Sequence, residues 1–320
     1  MLAERPESRR LVGYGKIRHM PTTELPPLTD DRLKLPSGPE LAIRRAKGSL
    51  RPFLLVHGLA SNSRLWDAVA QRLAQAGHDV VAIDLRGHGQ SEVTEVGYDT
   101  ATAAADLADV IDALGWTGER APIVAGQSWG GNVVLTLAAE HGRVAGLALV
   151  DGGWIYLADR FKTFDECWEV LAPPVFEHVT TAELVSRASS WNADWPEESR
   201  RGALANFAED ANGYVYLHLS REHHKSILYS LWSADPRPLY AKIDVPVVLM
   251  AAVNEIPTEP TPTTLARDAM ADATVSWYVG AHHDLHAQQP DRCAAELLEL
   301  AVRVEASAAA PSDHKRGSQQ

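Results

Sequence analysis

The chain alternates between short runs that are apolar throughout and longer stretches with helical spacing. Phe53-Leu54-Leu55-Val56, Val80-Val81-Ala82-Ile83, Ile123-Val124-Ala125, Leu147-Ala148-Leu149-Val150 and Val245-Pro246-Val247-Val248-Leu249-Met250 are the apolar runs. Strands buried on both faces of a sheet read this way. Trp66 to Ala76, Thr102 to Leu114, Asn132 to Glu140, Thr263 to Met270 and about Asp291 to Val304 are expected as helices, the first stopping at Gly77. Arg32-Leu33-Lys34-Leu35 and Leu41-Ala42-Ile43-Arg44 flank a turn at Pro36-Ser37-Gly38-Pro39 and are expected to open the sheet as an antiparallel pair. Thr274 to Val279 reads as a further strand. The alternation predicts an α/β protein, a mostly parallel sheet with helices on both faces.

The alternation breaks between residues 152 and 240. That stretch offers no comparable buried strand and is dominated by helical stretches, with separators at Pro173-Pro174, Trp195-Pro196 and Asn212-Gly213 and with Trp154, Trp168, Trp191, Trp195 and Trp232. The expected organisation is an N-terminal arm over 1–28 and a core over 29–151 and 241–304. A helical cap over 152–240 and a disordered tail over 305–320 complete it.

Composition narrows the partners. A formal net charge of −12 over 320 residues leaves no basic face for nucleic acid and argues against anionic membranes. Only two cysteines, Cys167 and Cys293, are present, with no metal-ligand spacing and no disulfide framework. No apolar run reaches the about 18 residues of a membrane span. The early charges Glu4, Arg5, Glu7, Arg9 and Arg10 are unlike a signal peptide. The expectation is a cytoplasmic protein acting on a small molecule, with no metal and no cofactor. Oligomeric state is not legible.

One stretch carries chemistry. Gly126-Gln127-Ser128-Trp129-Gly130 lies between an apolar run and a helical run. A G-x-S-x-G sequence in that context reads as a nucleophile elbow, which holds the serine in a strained turn with its hydroxyl exposed. The glycines leave room for neighbouring backbone, and the Trp129 N–H points to where a substrate oxyanion forms.

Further motifs in chain order are His57-Gly58 after the third strand, Arg86-Gly87-His88-Gly89-Gln90-Ser91 after the fourth, and Gly280-Ala281-His282-His283-Asp284-Leu285-His286. With the elbow they resemble the α/β-hydrolase superfamily, in its serine esterase, C–C hydrolase and haloperoxidase-like branch, from about residue 30 to 303 outside the insertion. The resemblance implies a mostly parallel eight-stranded sheet with a helical cap after strand 6. It implies Ser128 as nucleophile, activated by a histidine whose tautomer a carboxylate fixes. His283 best matches the position of the base, with His282 as runner-up and His286 as a second, structural histidine. The acid position is matched by Glu255, where the family usually has Asp, and Ala251-Ala252-Val253-Asn254 lacks the usual glycine. Asp151 is the alternative acid. The oxyanion donors would be the Leu59 and Trp129 amides. His57, Trp154, Trp168 and Trp232 are the pocket candidates, with His57 shaping its loop, while His88 and Asp84 would make structural hydrogen bonds.

The implied function is a serine hydrolase cleaving an ester-like bond through an acyl-enzyme. C–C, lactone and thioester hydrolysis and cofactor-free perhydrolysis share the triad. Dehalogenase and epoxide hydrolase chemistry are disfavoured, because both need Asp where Ser128 stands. A slow or non-catalytic ligand-binding protein on the same fold is the alternative from another class.

Overall fold

The structure, a computed structural model, describes residues 25–36 and 38–309; the side chains of 188–191 are outside that description. The strands β1 (Thr29–Lys34) and β2 (Glu40–Ala46) form the expected antiparallel pair. Then follow β3 (Leu50–Val56), α1 (Asp67–Gln75), β4 (His78–Ile83), α2 (Thr100–Ala113), β5 (Ile123–Gln127), α3 (Trp129–Thr136) and β6 (Gly146–Val150). The insertion contributes α4 (Phe164–Leu171), α5 (Thr181–Trp191), α6 (Glu197–Leu204), β7 (Phe207–Glu209), β8 (Val215–Leu217), α7 (Arg221–Ser233) and α8 (Arg237–Tyr240). The core resumes with β9 (Val247–Val253), α9 (Pro262–Ala269), β10 (Ala273–Val279), α10 (Leu285–Gln288) and α11 (Pro290–Ala309).

The sheet has eight strands in the order β1-β2-β4-β3-β5-β6-β9-β10. From β4 to β10 neighbours run parallel, while β2 is antiparallel to β4. Alternate strand residues face opposite sides, and the core divides accordingly. Leu54, Val56, Val124, Leu147 and Leu249 join one apolar cluster with α2 and α3. Phe53, Leu55, Ile123, Ala125, Val150 and Met250 join the other, with α1 and α11. After β3 the chain moves to one side, to β4, and then to the other, to β5. The carboxyl ends of β3 and β5 therefore flank a topological switch point, where open α/β sheets bind ligands.

Two expectations are corrected. The insertion is not wholly helical: β7 and β8 pair antiparallel, and Asn212-Gly213, read as a separator, lies in the turn between them. The strands have only three residues each, too short for a periodic signal. At the other end α11 continues through Ala309 rather than giving way to a tail after Val304. Ala306, Ala308 and Ala309 are strong helix formers, and Glu305 pairs with Arg51 at 2.5 Å. Most of the expected arm, and residues 310–320 of the expected tail, are outside the described residues. Among the described residues no helix is long and apolar enough to cross a membrane.

Candidate active site

β5 ends at Gln127, and α3 begins at Trp129. Ser128 makes the turn between them with φ 55° and ψ −122°. A non-glycine residue held there costs on the order of 1–3 kcal/mol, so its surroundings must impose it. The Ser128 N–H donates to the Val150 carbonyl at 2.9 Å, and the Ser128 carbonyl accepts from Gly131 at 2.9 Å. Packing leaves no space for a side chain at Gly130, where a Cβ would stand 2.4 Å from the His57 carbonyl oxygen. The Trp129 N–H is in the first turn of α3 and has no carbonyl four residues back to accept it.

His283, the candidate base, and Asp151, the alternative candidate acid, come from two other strand ends. His283 sits on the loop after β10, and its Nδ1 is 2.6 Å from Asp151 Oδ2. Asp151 directly follows β6, has φ 43°, and donates its N–H to the Met250 carbonyl at 2.7 Å. Its second carboxylate oxygen accepts the Ala252 N–H at 3.0 Å. Partial burial pulls the His283 pKa down, but the hydrogen bond and charge of Asp151, joined by the charge of Asp284, outweigh it and leave the pKa raised. Gln127 Nε2 donates to the His283 carbonyl at 3.3 Å, which ties the histidine loop to the residue before Ser128. No hydrogen bond joins Ser128 Oγ to His283 among the described residues; such contacts commonly tighten only when substrate binds.

This geometry corrects the acid. Glu255, the favoured candidate, is exposed and makes no hydrogen bond or ion pair among the described residues. β9 ends at Val253, and Asn254, Glu255 and Ile256 all face solvent beyond it. Asp151 instead meets the imidazole from the neighbouring strand end. The local clue was Asp151-Gly152-Gly153, an acid followed by two glycines at a strand terminus. A Cβ on Gly152 would come 2.1 Å from the Ser128 carbonyl oxygen.

The other histidines are accounted for. His282 is exposed, with Nε2 3.8 Å from Asp194 Oδ2. His286 is buried against Trp66 at 4.3 Å between ring centroids, and burial takes its pKa down to about 3. His57 is fully buried, so its place among the pocket candidates is corrected. Its Nε2 accepts the Leu85 N–H at 3.0 Å, and its Nδ1 lies 2.7 Å from the Gly58 carbonyl. Both nitrogens brace the loop that carries Leu59, and burial lowers the pKa to about 4. His88 does similar work with the Ala60 N–H at 3.3 Å and the Arg86 carbonyl at 2.9 Å. Asp84 accepts the amides of Ser63 at 2.6 Å and Gln90 at 2.8 Å. These structural roles are the ones expected of His88 and Asp84.

Of the pocket tryptophans, Trp154 is half-buried against the apolar cluster containing Trp129. Trp168 and Trp232 are reassigned to packing within the cap. Trp232 Nε1 donates to the Phe161 carbonyl at 3.0 Å, and its ring lies 6.1 Å from both Phe164 and Tyr229. Trp168 carries Arg221 at 4.9 Å and Lys225 at 5.3 Å from its ring. The cap residues buried in the cluster that contains Trp129 are Leu219, Ile227, Leu231 and Tyr240. Dispersed over the insertion, they carry no motif.

A profile of the alpha/beta hydrolase fold matches residues 51–252, and the chain belongs to that family. It is 40% identical over 105 residues to a non-heme haloperoxidase from Rhodococcus erythropolis, covering 32% of this chain and 37% of that protein. That match thus spans little more than a third of the relative's length. A putative carbamate hydrolase from Variovorax paradoxus is 28% identical over 260 residues, covering 79% of this chain and 92% of the relative. Among solved structures, E-2-(acetamidomethylene)succinate hydrolase matches with a TM-score of 0.70 and 21% identity, over 85% of this chain and 98% of that one. At that identity the likeness speaks for the fold alone.

Proposed function

We propose that the protein is a serine hydrolase acting on a carboxylic ester or related acyl substrate through an acyl-enzyme. His283 takes the proton from Ser128 Oγ as the oxygen attacks the carbonyl carbon. The amides of Leu59 and Trp129 receive the oxyanion, and His283 then delivers the proton to the leaving oxygen. Asp151 fixes the proton on Nδ1, so that Nε2 is free to act, and stabilises the imidazolium. Water, activated in turn by His283, releases the acid. The observation that carries this reading is the 2.6 Å His283–Asp151 contact at strand ends beside a strained Ser128. Apolar residues of the cap, Leu219, Ile227 and Leu231 among them, support a partly apolar acyl group, and the cap as a specificity lid belongs to the same proposal.

The test is labelling by a fluorophosphonate, with turnover of p-nitrophenyl esters of increasing acyl length, in wild type and Ser128→Ala. Wild type is expected to label and turn over, and the variant to do neither. A ligand-binding protein without chemistry would leave both unlabelled. A second reading has the haloperoxidase similarity behind it: hydrogen peroxide replaces water at deacylation and yields a peracid. Peracid formed from an acyl ester and peroxide, and lost in Ser128→Ala, would establish it.

A further inference from the structure

We propose that Ser230, Thr100 and the Trp129 indole form a positioning device through which cap helix α7 sets the peptide that binds the oxyanion. This rests on the serine-hydrolase reading and concerns how its site is held. The Trp129 ring is fully buried, and its Nε1–H donates to Thr100 Oγ1 at 3.1 Å. Thr100 is the first residue of α2, so its N–H has no acceptor within the helix. It donates to Ser230 Oγ on α7 at 2.9 Å. The Ser230 hydroxyl donates back to Thr100 Oγ1, also at 2.9 Å. Thr100 Oγ1 therefore accepts twice, which uses both its lone pairs and fixes its rotamer.

Each member is at least nine-tenths buried, so these polar groups are satisfied by one another. Nearby, the Tyr98 ring stacks on His223 of α7 at 3.8 Å and 10°. Residues 98–100 are thus held to α7 by one ring stack and two hydrogen bonds. Thr100 and Ser230 also wall a cavity of about 700 Å³ between α2, α3, α7 and α8. Where that cavity lies, the hydroxyl pair bridges cap and core in place of packed side chains.

The consequence follows from the position of Trp129. Its amide is the oxyanion donor at the start of α3, and its side chain ends on the hydroxyl that the cap holds. Catalytic geometry tolerates displacements of only about 0.5 Å. Anchoring the far end of a rigid indole limits how the Trp129 peptide can turn. A cap seated differently changes the partner of Thr100, then the indole, then the amide.

The test compares Ser230→Ala, Thr100→Val, the double variant and Ser230→Thr with wild type in the full chain. It measures kcat and KM for a p-nitrophenyl ester, the rate of fluorophosphonate labelling, and the thermal midpoint. Deleting an oxyanion donor costs about a hundred- to a thousandfold; displacing one should cost about tenfold. The expected result is a roughly tenfold lower kcat and labelling rate in Ser230→Ala, with KM within about twofold of wild type. Ser230→Thr, which keeps the hydroxyl, should restore most of it. The double variant should be no slower than Thr100→Val, because both break one chain. Wild-type kcat in Ser230→Ala and Thr100→Val overturns the proposal alone. So does a loss that tracks the thermal midpoint and is not rescued by Ser230→Thr. A wild type that neither labels nor depends on Ser128 overturns the underlying reading, and this proposal with it.

Discussion

Two turns at the ends of adjacent strands invite comparison. At the end of β5, Ser128 has φ 55°; at the end of β6, Asp151 has φ 43°. Both are non-glycine residues in a region that side chains avoid. Both are clamped by backbone bonds to the next strand over, Ser128 to Val150 and Asp151 to Met250. They are also built against each other, since Gly152 packs on the Ser128 carbonyl. They differ in what surrounds the strained residue. The serine turn is framed by glycines on both sides and opens a helix. The acid turn has its glycines only after it and leads into the cap. Each stands at the carboxyl end of a central parallel strand, beside the switch point of the sheet.

The largest effect should come from the first turn. Ser128→Ala keeps the fold and removes the nucleophile, and loss of a triad nucleophile costs about a million-fold in rate, as in subtilisin. Steady-state turnover of an ester by the purified variant checks it; retained activity breaks the assignment of chemistry to this turn.

The second turn should be nearly as sensitive. Asp151→Asn keeps the shape but removes the charge and favours the wrong imidazole tautomer. The corresponding change in a chymotrypsin-like enzyme costs about ten-thousand-fold in kcat. Glu255→Gln, at an exposed side chain past the end of β9, should stay within about twofold of wild type, as surface substitutions do. Kinetics of the two variants side by side sharpen the comparison, and an inverted pattern restores Glu255.

The physical coupling of the turns can be broken without touching either side chain. Gly152→Ala places a methyl 2.1 Å from the Ser128 carbonyl oxygen. Backbone must shift to admit it, at about 1–3 kcal/mol by analogy with overpacked cores. A thermal midpoint several degrees lower is expected, with a loss of kcat larger than that of KM. A midpoint and kcat equal to wild type would show that the turns move independently.

The contrast also explains what the sequence displays and what it hides. The buried strands are legible because residues facing both layers must be apolar, as at Val80 to Ile83. Ser128 is legible because its turn needs glycines at fixed spacing. Asp151 has no comparable spacing. Its one local mark is the pair of glycines that follows it, and the contact with His283, 132 positions away, is what singles it out. Glu255 drew the assignment because the family resemblance implies an acid at this position, just past β9, yet here the chain faces solvent. Thr100 and Ser230 are likewise silent, 130 positions apart and ordinary on their helices. The short strands β7 and β8 are too brief to show alternation.

The smallest effect is in the pH dependence, and it reports on the second turn alone. The His283 pKa is raised in the folded protein because the hydrogen bond and charge of Asp151, with Asp284, overcome desolvation. A base must be neutral to act, so kcat/KM should rise with pH along a limb centred above the ordinary histidine value of about 6.5. Stability runs the other way. A raised folded pKa means that protonation favours the native state. The contribution is complete below the unfolded pKa and is lost as pH rises through the folded one. His283 is more than half exposed, so the effect on stability should be below about 1 kcal/mol, as for other solvent-screened pairs. In Asp151→Asn the larger of the two charges that raise the pKa is gone, while desolvation, which lowers it, and the smaller effect of Asp284 remain. Its residual activity should therefore rise along a limb shifted to lower pH, even as the rate itself falls. Profiles of kcat/KM against pH for the two proteins, with thermal midpoints at matched pH, decide it. A limb that stays in place on losing Asp151 would mean that some other group sets the charge of His283.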